Sequence, residues 1–363
     1  MISIVPRFFK GIYWPIVFLT LLLAAMGMLT IYSASFRGSG DFTSKQFLWC
    51  LIGLAVFFVT ISVGYRSFLN LSYLFYVITI ALLFWVLILG EARSGAQRWI
   101  MLGSFAVQPS EFSKIATILA LANFLAGRSS IQQQKRTLIT ALILVGVPAV
   151  LVLKQPDLGS ALVFAPFLLT VIFFWGIRIR YLIFLFLMGL SSLPLVWHVL
   201  KPYQQKRLLV FVNPAIDPVG ASYTAIQSKI AVGSGGLLGK GWLQGTQTQL
   251  DFVPEHHTDF IFSVIGEEFG FLGAVFILFL FGLLIVYAFR IVDHTTDFRA
   301  RLLALGIAMA FSFQVFVNIG MTIGLAPITG LPLPFISYGG SALVANFFAF
   351  GLLASIYKER SIF

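Results

Sequence analysis

Stretches of about 20 mostly apolar residues recur along the whole of this chain, and they limit its fold more than any motif does. At about 1.5 Å rise per residue, a helix of that length crosses the hydrocarbon of a bilayer. Ten such spans can be drawn, at 12–32, 46–63, 68–90, 109–127, 137–153, 158–176, 180–199, 259–289, 300–323 and 340–357. Composition agrees, since 59% of the residues are hydrophobic and only 10% charged, which excludes an ordinary soluble domain. The expected fold is an all-α polytopic membrane protein of about ten transmembrane helices, one domain over 1–363. Its one long connection, about 200–258, lies between spans 7 and 8 and is expected to carry short helices. Arg7 and Lys10 precede the first apolar run as in a signal peptide. The run is longer than the usual 7–15-residue signal core, so it reads as a retained span. With one cysteine, Cys50, no intrachain disulfide can form.

Charge sets the orientation. Lys and Arg gather before span 1, in the short loops after even-numbered spans, and after span 10, at positions such as Arg66, Arg128, Arg178, Arg290 and Lys358. That bias marks the cytoplasmic side. Of the acids, only Asp293, Asp297 and Glu359 fall there. Both termini are therefore expected in the cytoplasm, and the other acids on or near the outer face. The excess of positive charge, +11 overall, reflects topology and anionic inner-leaflet lipid. No basic stripe interleaved with aromatics suggests a nucleic acid.

Several polar groups sit where hydrocarbon does not explain them. In "RSGAQRWIMLGSFAVQPSEFSK", residues 93–114, Pro109 suits a first helical turn, and Glu111 and Lys114 then share a face three residues apart. They either neutralise each other or form the polar wall of an outward cavity. Arg93 and Arg98 either anchor at the interface or grip phosphate through their planar donor forks. In "KQPDLGSA", residues 154–161, Asp157 is placed to cap span 6, and capping alone would account for it. In the long connection, "GSGGLLGKG" resembles a phosphate loop but fails as one: Ser234 stands where the first glycine belongs, and Gly241 replaces the hydroxyl residue after Lys240. A short helix ending in glycine turns is the plainer reading, though such turns can cradle an anion.

"PEHHTDFIFSVIGEE", residues 254–268, concentrates acids at the start of span 8. From Asp259, one helical face carries Ser263, Gly266, Gly270 and Gly273, small residues that admit close packing. Asp259 is then turned toward the bundle, where it either caps the helix or serves as a general base. Adjacent His256 and His257 point apart on extended chain, a poor pair for zinc. If a metal binds, Mg2+ or Mn2+ near Asp259 and Glu255 fits better, because these ions prefer oxygen. Residues 318–347, apolar and broken by proline, must be buried or line water, and Gly339 and Gly340 either leave bare N–H groups near the outer side or serve packing alone.

Taken in order, "RSGAQRWI", "QPSEFSK", "QPDLGSA", "QSKIAVGSGGLLGKGWLQGTQTQLDFVPEHHTDFIFSVIGEE" and "PITGLPLPFISYGGS" resemble the SEDS family (shape, elongation, division, sporulation). The "GKGWLQGTQTQL" form resembles its elongation members more than its division members. The resemblance implies a peptidoglycan glycosyltransferase that polymerises lipid II on the outer face of the cytoplasmic membrane. It implies an essential aspartate at Asp259, a buried acid–base pair at Glu111 and Lys114, and arginines at Arg93 and Arg98. It also implies a class B penicillin-binding protein, a transpeptidase, as partner. With Asp157 and Lys240, these cations and acids are the candidate substrate and pyrophosphate contacts. A lipid II flippase and a non-catalytic scaffold are the competing expectations.

Overall fold

The computed structural model describes residues 11–36, 41–93, 96–102, 105–128, 134–220 and 222–360. In chain order the first helices are α1 (Trp14–Ala34), α2 (Phe42–Val63), a short α3 (Tyr65–Asn70), α4 (Ser72–Leu89), α5 (Pro109–Ala126), α6 (Gln134–Lys154), α7 (Leu158–Trp175) and α8 (Ile179–Val199). The connection that follows holds α9 (Pro202–Val212), α10 (Tyr223–Ser234) and α11 (Thr246–Gln249). The last three helices are α12 (Ile261–Asp293), α13 (Phe298–Ile323) and α14 (Gly340–Glu359). Each of the ten expected spans has its helix, and the chain is a multi-pass membrane protein.

Among the described residues, nine helices are long and apolar enough to cross a membrane by composition, and α5 is not one of them. Its position explains why. Every residue from Pro109 to Ala122 except Phe112 is buried, and α4, α6, α7, α13 and α14 pack around it. A helix surrounded by protein meets no acyl chains, so Ser110, Glu111, Ser113, Lys114 and Thr117 are tolerated there. The reverse holds for α8, where Ile183, Phe186, Leu190 and Leu195 are exposed as lipid-facing side chains would be.

The all-α expectation needs one amendment. Between α4 and α5 the chain forms a small antiparallel sheet of β1 (Glu91–Arg93), β2 (Ala96–Leu102) and β3 (Phe105–Val107), in the order β1-β2-β3. The segment leaves the C-terminal end of α4 and must satisfy its own backbone groups, which the ladder does.

α12 is broken at Gly270, whose φ of 66° lies outside the helical range. The glycine turns after α10 fill the break. Lys240 N and Gly241 N donate to Glu267 O and Glu268 O at 3.0 Å, while Phe271 N and Leu272 N donate to Gly236 O and Leu237 O at 2.9 and 3.2 Å. A Cβ on Gly270 would lie 2.3 Å from Gly239 N, and one on Gly239 2.1 Å from Glu268 O, so neither position admits a side chain. The N–H groups that sequence alone left free for an anion at Lys240 and Gly241 are thus spent on the broken helix. The glycine face of α12 does receive a helix, but it is α10 of the long connection: Val232 lies 3.0 Å from a Cβ built on Gly266.

Candidate active site

Asp259 stands two residues ahead of α12 and does not cap it; the helix starts after Phe260 with no side-chain cap. Its backbone is seated on the stretch between α13 and α14. Asn318 Nδ2 donates to Asp259 O at 2.9 Å and to Leu331 O at 2.7 Å. Ser337 Oγ donates to Thr258 O at 2.6 Å, and Tyr338 N to His257 O at 3.0 Å. The proline-broken segment is itself anchored, since Leu331, Leu333, Phe335 and Ile336 are buried. The base candidate is therefore fixed by main-chain bonds, while its carboxylate has no hydrogen-bond partner among the described residues.

The residue keeps a minor part of its surface open, yet its carboxyl is enclosed enough for burial to govern its titration. Burial, and then the neighbouring Glu255 carboxylate, push Asp259 up to about 6; Arg207 and Arg98 oppose this, and Asp157 adds to it. Five charged groups from four parts of the chain thus share one field. A carboxyl held near 6 with no partner of its own is suited to accept a proton close to neutral pH.

The other candidates are engaged with the protein. Asp157 caps α7 by accepting from Ser160 N at 3.1 Å, and its second oxygen accepts from Gln108 Nε2, also at 3.1 Å. Arg98, on β2, lies 3.9 Å from Asp157 Oδ1 and donates to the carbonyls of Gln155 and Pro156. Both Asp157 oxygens are thus engaged, one with the cap of α7 and one with Gln108, and it acts on Asp259 only through its charge. Arg93 lies on β1, in register with Ala96; its side chain is outside the described residues. Glu111 and Lys114 form a buried pair at 2.8 Å. They line a small cavity with Gln314 and Asn346, and Asp259 is not part of that lining. Lys240 pairs at 2.7 Å with Glu267, which is fully buried and also accepts from Gln247 N at 2.8 Å and Thr248 N at 3.0 Å. Lys240 and Glu267 together clasp the long connection to α12.

His256 bridges Val253 O and Ala34 O, 2.8 Å from each, and so ties the connection to the end of α1. Burial and the neighbouring His256 push His257 below its ordinary range. No group of three or more His, Cys, Asp or Glu that could hold a metal occurs among the described residues. A Cβ built on Gly340 would lie 2.1 Å from the Trp49 ring, so this glycine serves close packing.

Sequence reasoning missed Arg207, Gln108, Asn318 and Gly330. An asparagine inside an apolar span was a readable signal for Asn318. Arg207 gave none, because charges in a long connection do not enter the orientation rule and α9 has no distinguishing pattern.

Comparison with known proteins gives the arrangement its context. A family model covering FtsW, RodA and SpoVE, described as "Cell cycle protein", matches residues 13–362. The chain is 39% identical over 361 residues to the peptidoglycan glycosyltransferase MrdB of Escherichia coli strain K12, covering 97% of each. It is 40% identical over 354 residues to the stage V sporulation protein E of Bacillus subtilis strain 168, covering 94% of this chain and 96% of that one. Among solved structures, it matches a chain from a study of structural coordination of polymerization and crosslinking by a peptidoglycan synthase complex, with a TM-score of 0.83, 36% identity and coverage of 96% and 98%. It also matches the crystal structure of the rod shape determining protein RodA of Thermus thermophilus, with a TM-score of 0.74, 31% identity and coverage of 97% and 99%. The chain belongs to the FtsW/RodA/SpoVE family, the SEDS family that its motifs resemble, and is close to RodA.

Proposed function

We propose that this chain is a peptidoglycan glycosyltransferase that joins lipid II units into β-1,4 glycan strands during cell elongation. The unpartnered, enclosed carboxyl of Asp259, held near pH 6 among Glu255, Arg207, Arg98 and Asp157, is the observation that carries the reading. Relatives that match nearly end to end are named peptidoglycan glycosyltransferases, which supports it. The donor is the growing glycan on undecaprenyl pyrophosphate, and the acceptor is lipid II. Asp259 takes the proton from the acceptor's GlcNAc 4-hydroxyl as that oxygen attacks C1 of the donor MurNAc. The C1–pyrophosphate bond breaks, the pyrophosphate leaves with the electron pair, and configuration inverts. Burial keeps the base from being fully hydrated, and Arg207 and Arg98 keep enough of it ionised to act.

The orientation by basic loops puts both termini in the cytoplasm and the site on the outer face. There the lipid tails stay in the bilayer while the sugars reach Asp259. A divalent cation, Mg2+ or Mn2+, would take its oxygen donors from Glu255, beside Asp259, and from water and phosphate. It would supply charge stabilisation to the departing group. The solved synthase complex supports a transpeptidase partner, a class B penicillin-binding protein.

The test is polymerisation of labelled lipid II by the purified chain in detergent, with and without such a partner. Glycan strands in the partnered reaction are expected. Transfer of fluorescent lipid II across liposomes without polymer would establish a flippase instead, and neither activity would leave a scaffold.

A further inference from the structure

Of the cations expected to meet pyrophosphate, Arg98, Lys114 and Lys240 are bonded within the protein. Two others are not. Arg207 of α9 and Lys229 of α10 form no ion pair or side-chain hydrogen bond among the described residues, apart from the 5.8 Å approach of Arg207 to the Tyr203 ring. Both line one cleft, whose walls include Val210, Phe211, Ile226 and Ile328. Met321 and Gly324 also line it, so the cleft lies at the end of α13, where the span gives way to the outer connection. Lys229 lies directly over Gly324, where no side chain obstructs it.

The cleft adjoins the base. A Cβ built on Gly330 would stand 3.3 Å from Asp259 Oδ2 and 3.8 Å from Arg207 Nη1, so both groups look onto one bare backbone carbon. Gly330 has a φ of 76°, a conformation that favours glycine and keeps this space open. Arg207 and Asp259 approach without pairing, which leaves donors of the guanidinium fork free for a third party.

We propose that the Arg207–Lys229 cleft is an oxyanion subsite beside the reacting hydroxyl, and that it holds the diphosphate of a polyprenyl-linked substrate. The inference rests on the glycosyltransferase reading. A planar fork and an ammonium supply charge-assisted donors to phosphate oxygens. The apolar wall at the membrane boundary suits the first prenyl carbons behind the phosphate. A carboxylate of the stem peptide shares the oxyanion chemistry but lacks that hydrocarbon, and the experiment separates the two.

Binding of fluorescent lipid II to the purified chain in nanodiscs is measured for the wild type, for Arg207→Gln/Lys229→Gln, and for Lys206→Gln as a control. Lys206 is already committed to Asp217 at 2.7 Å. Competitors are undecaprenyl diphosphate, which lacks the peptide, and a soluble disaccharide-pentapeptide, which lacks the phosphates. The expected result is affinity weaker by about tenfold or more in the double variant, from lost charged hydrogen bonds. The control should be unchanged, and undecaprenyl diphosphate should compete on the wild type but not on the double variant. Arg207→Lys should fall between, which excludes misfolding as the cause. Equal binding by the double variant would overturn the subsite. Competition by the disaccharide-pentapeptide alone would overturn the diphosphate assignment. A wild type that takes undecaprenyl diphosphate but not lipid II would leave the cleft standing and remove the glycosyltransferase reading, whereas failure to bind either would remove both.

Discussion

At the scale of the residue, the site is a balance of charges on one carboxyl. Glu255 and Asp157 favour its neutral form, and Arg207 and Arg98 its anion. A base must be ionised to act, so the rising limb of the pH–rate profile is expected near pH 6. Neutralising Glu255 with Glu255→Gln should move that limb to lower pH, and Arg207→Gln should move it to higher pH. Steady-state polymerisation rates across pH 5–8 check both signs. Stability has its own sign. Between the ordinary carboxyl value of 3.8 and about 6, the folded protein holds a proton that the unfolded chain releases. The associated stability is lost as pH rises through that window. Asp259→Asn, neutral throughout, is therefore expected to fold at least as well as the wild type at pH 7. The sequence singled out Asp259, Arg98 and Asp157 because each stands at a helix start or loop in an otherwise greasy chain, but it did not bring Arg98 and Asp157 into the field of Asp259, which folding does. Arg207 and Gln108 were not legible, because only folding brings α9 and the start of α5 to that point.

At the scale of the element, the broken helix and the clasp of the long connection depend on each other. Gly270→Ala would force a Cβ to within 2.3 Å of Gly239 N at a φ of 66°. Holding a non-glycine residue there costs about 1–3 kcal/mol. Glu267→Gln keeps the shape but removes the charge that Lys240 Nζ meets at 2.7 Å. Both variants are expected to lower the thermal midpoint in detergent and to speed proteolysis within 235–250, without moving the pH limb. If cleavage were unchanged, the clasp would have no structural weight. The sequence disclosed the glycines of 233–241 and the small face of α12, but not that they meet. That pairing is a long-range backbone match with no periodicity to betray it. The sheet at 91–107 was hidden for a related reason, since three strands of three to seven residues leave too short an alternation to read.

At the scale of the whole molecule, the span pattern was readable because hydrocarbon imposes one length and one secondary structure. Its least apolar member, α5, is also among the most enclosed, so the departure from hydropathy agrees with an interior position. The orientation expected from the basic loops has a direct check. Val219, 86% exposed in the long connection, should label with a membrane-impermeant maleimide from outside intact spheroplasts as Val219→Cys in a Cys50→Ser background. His294→Cys, in the loop after α12, should label only after lysis. The opposite pattern would invert the topology and place Asp259 on the wrong face for lipid-linked sugars.

The central claim is that the Asp259 carboxyl removes a proton from the attacking sugar hydroxyl. The most direct measurement is single-turnover polymerisation of labelled lipid II by the chain with its transpeptidase partner, comparing Asp259→Asn with the wild type at pH 7 and at equal bound substrate. The account predicts a rate lower by about 10²–10⁴-fold with lipid II binding retained. A normal rate in the variant would contradict it.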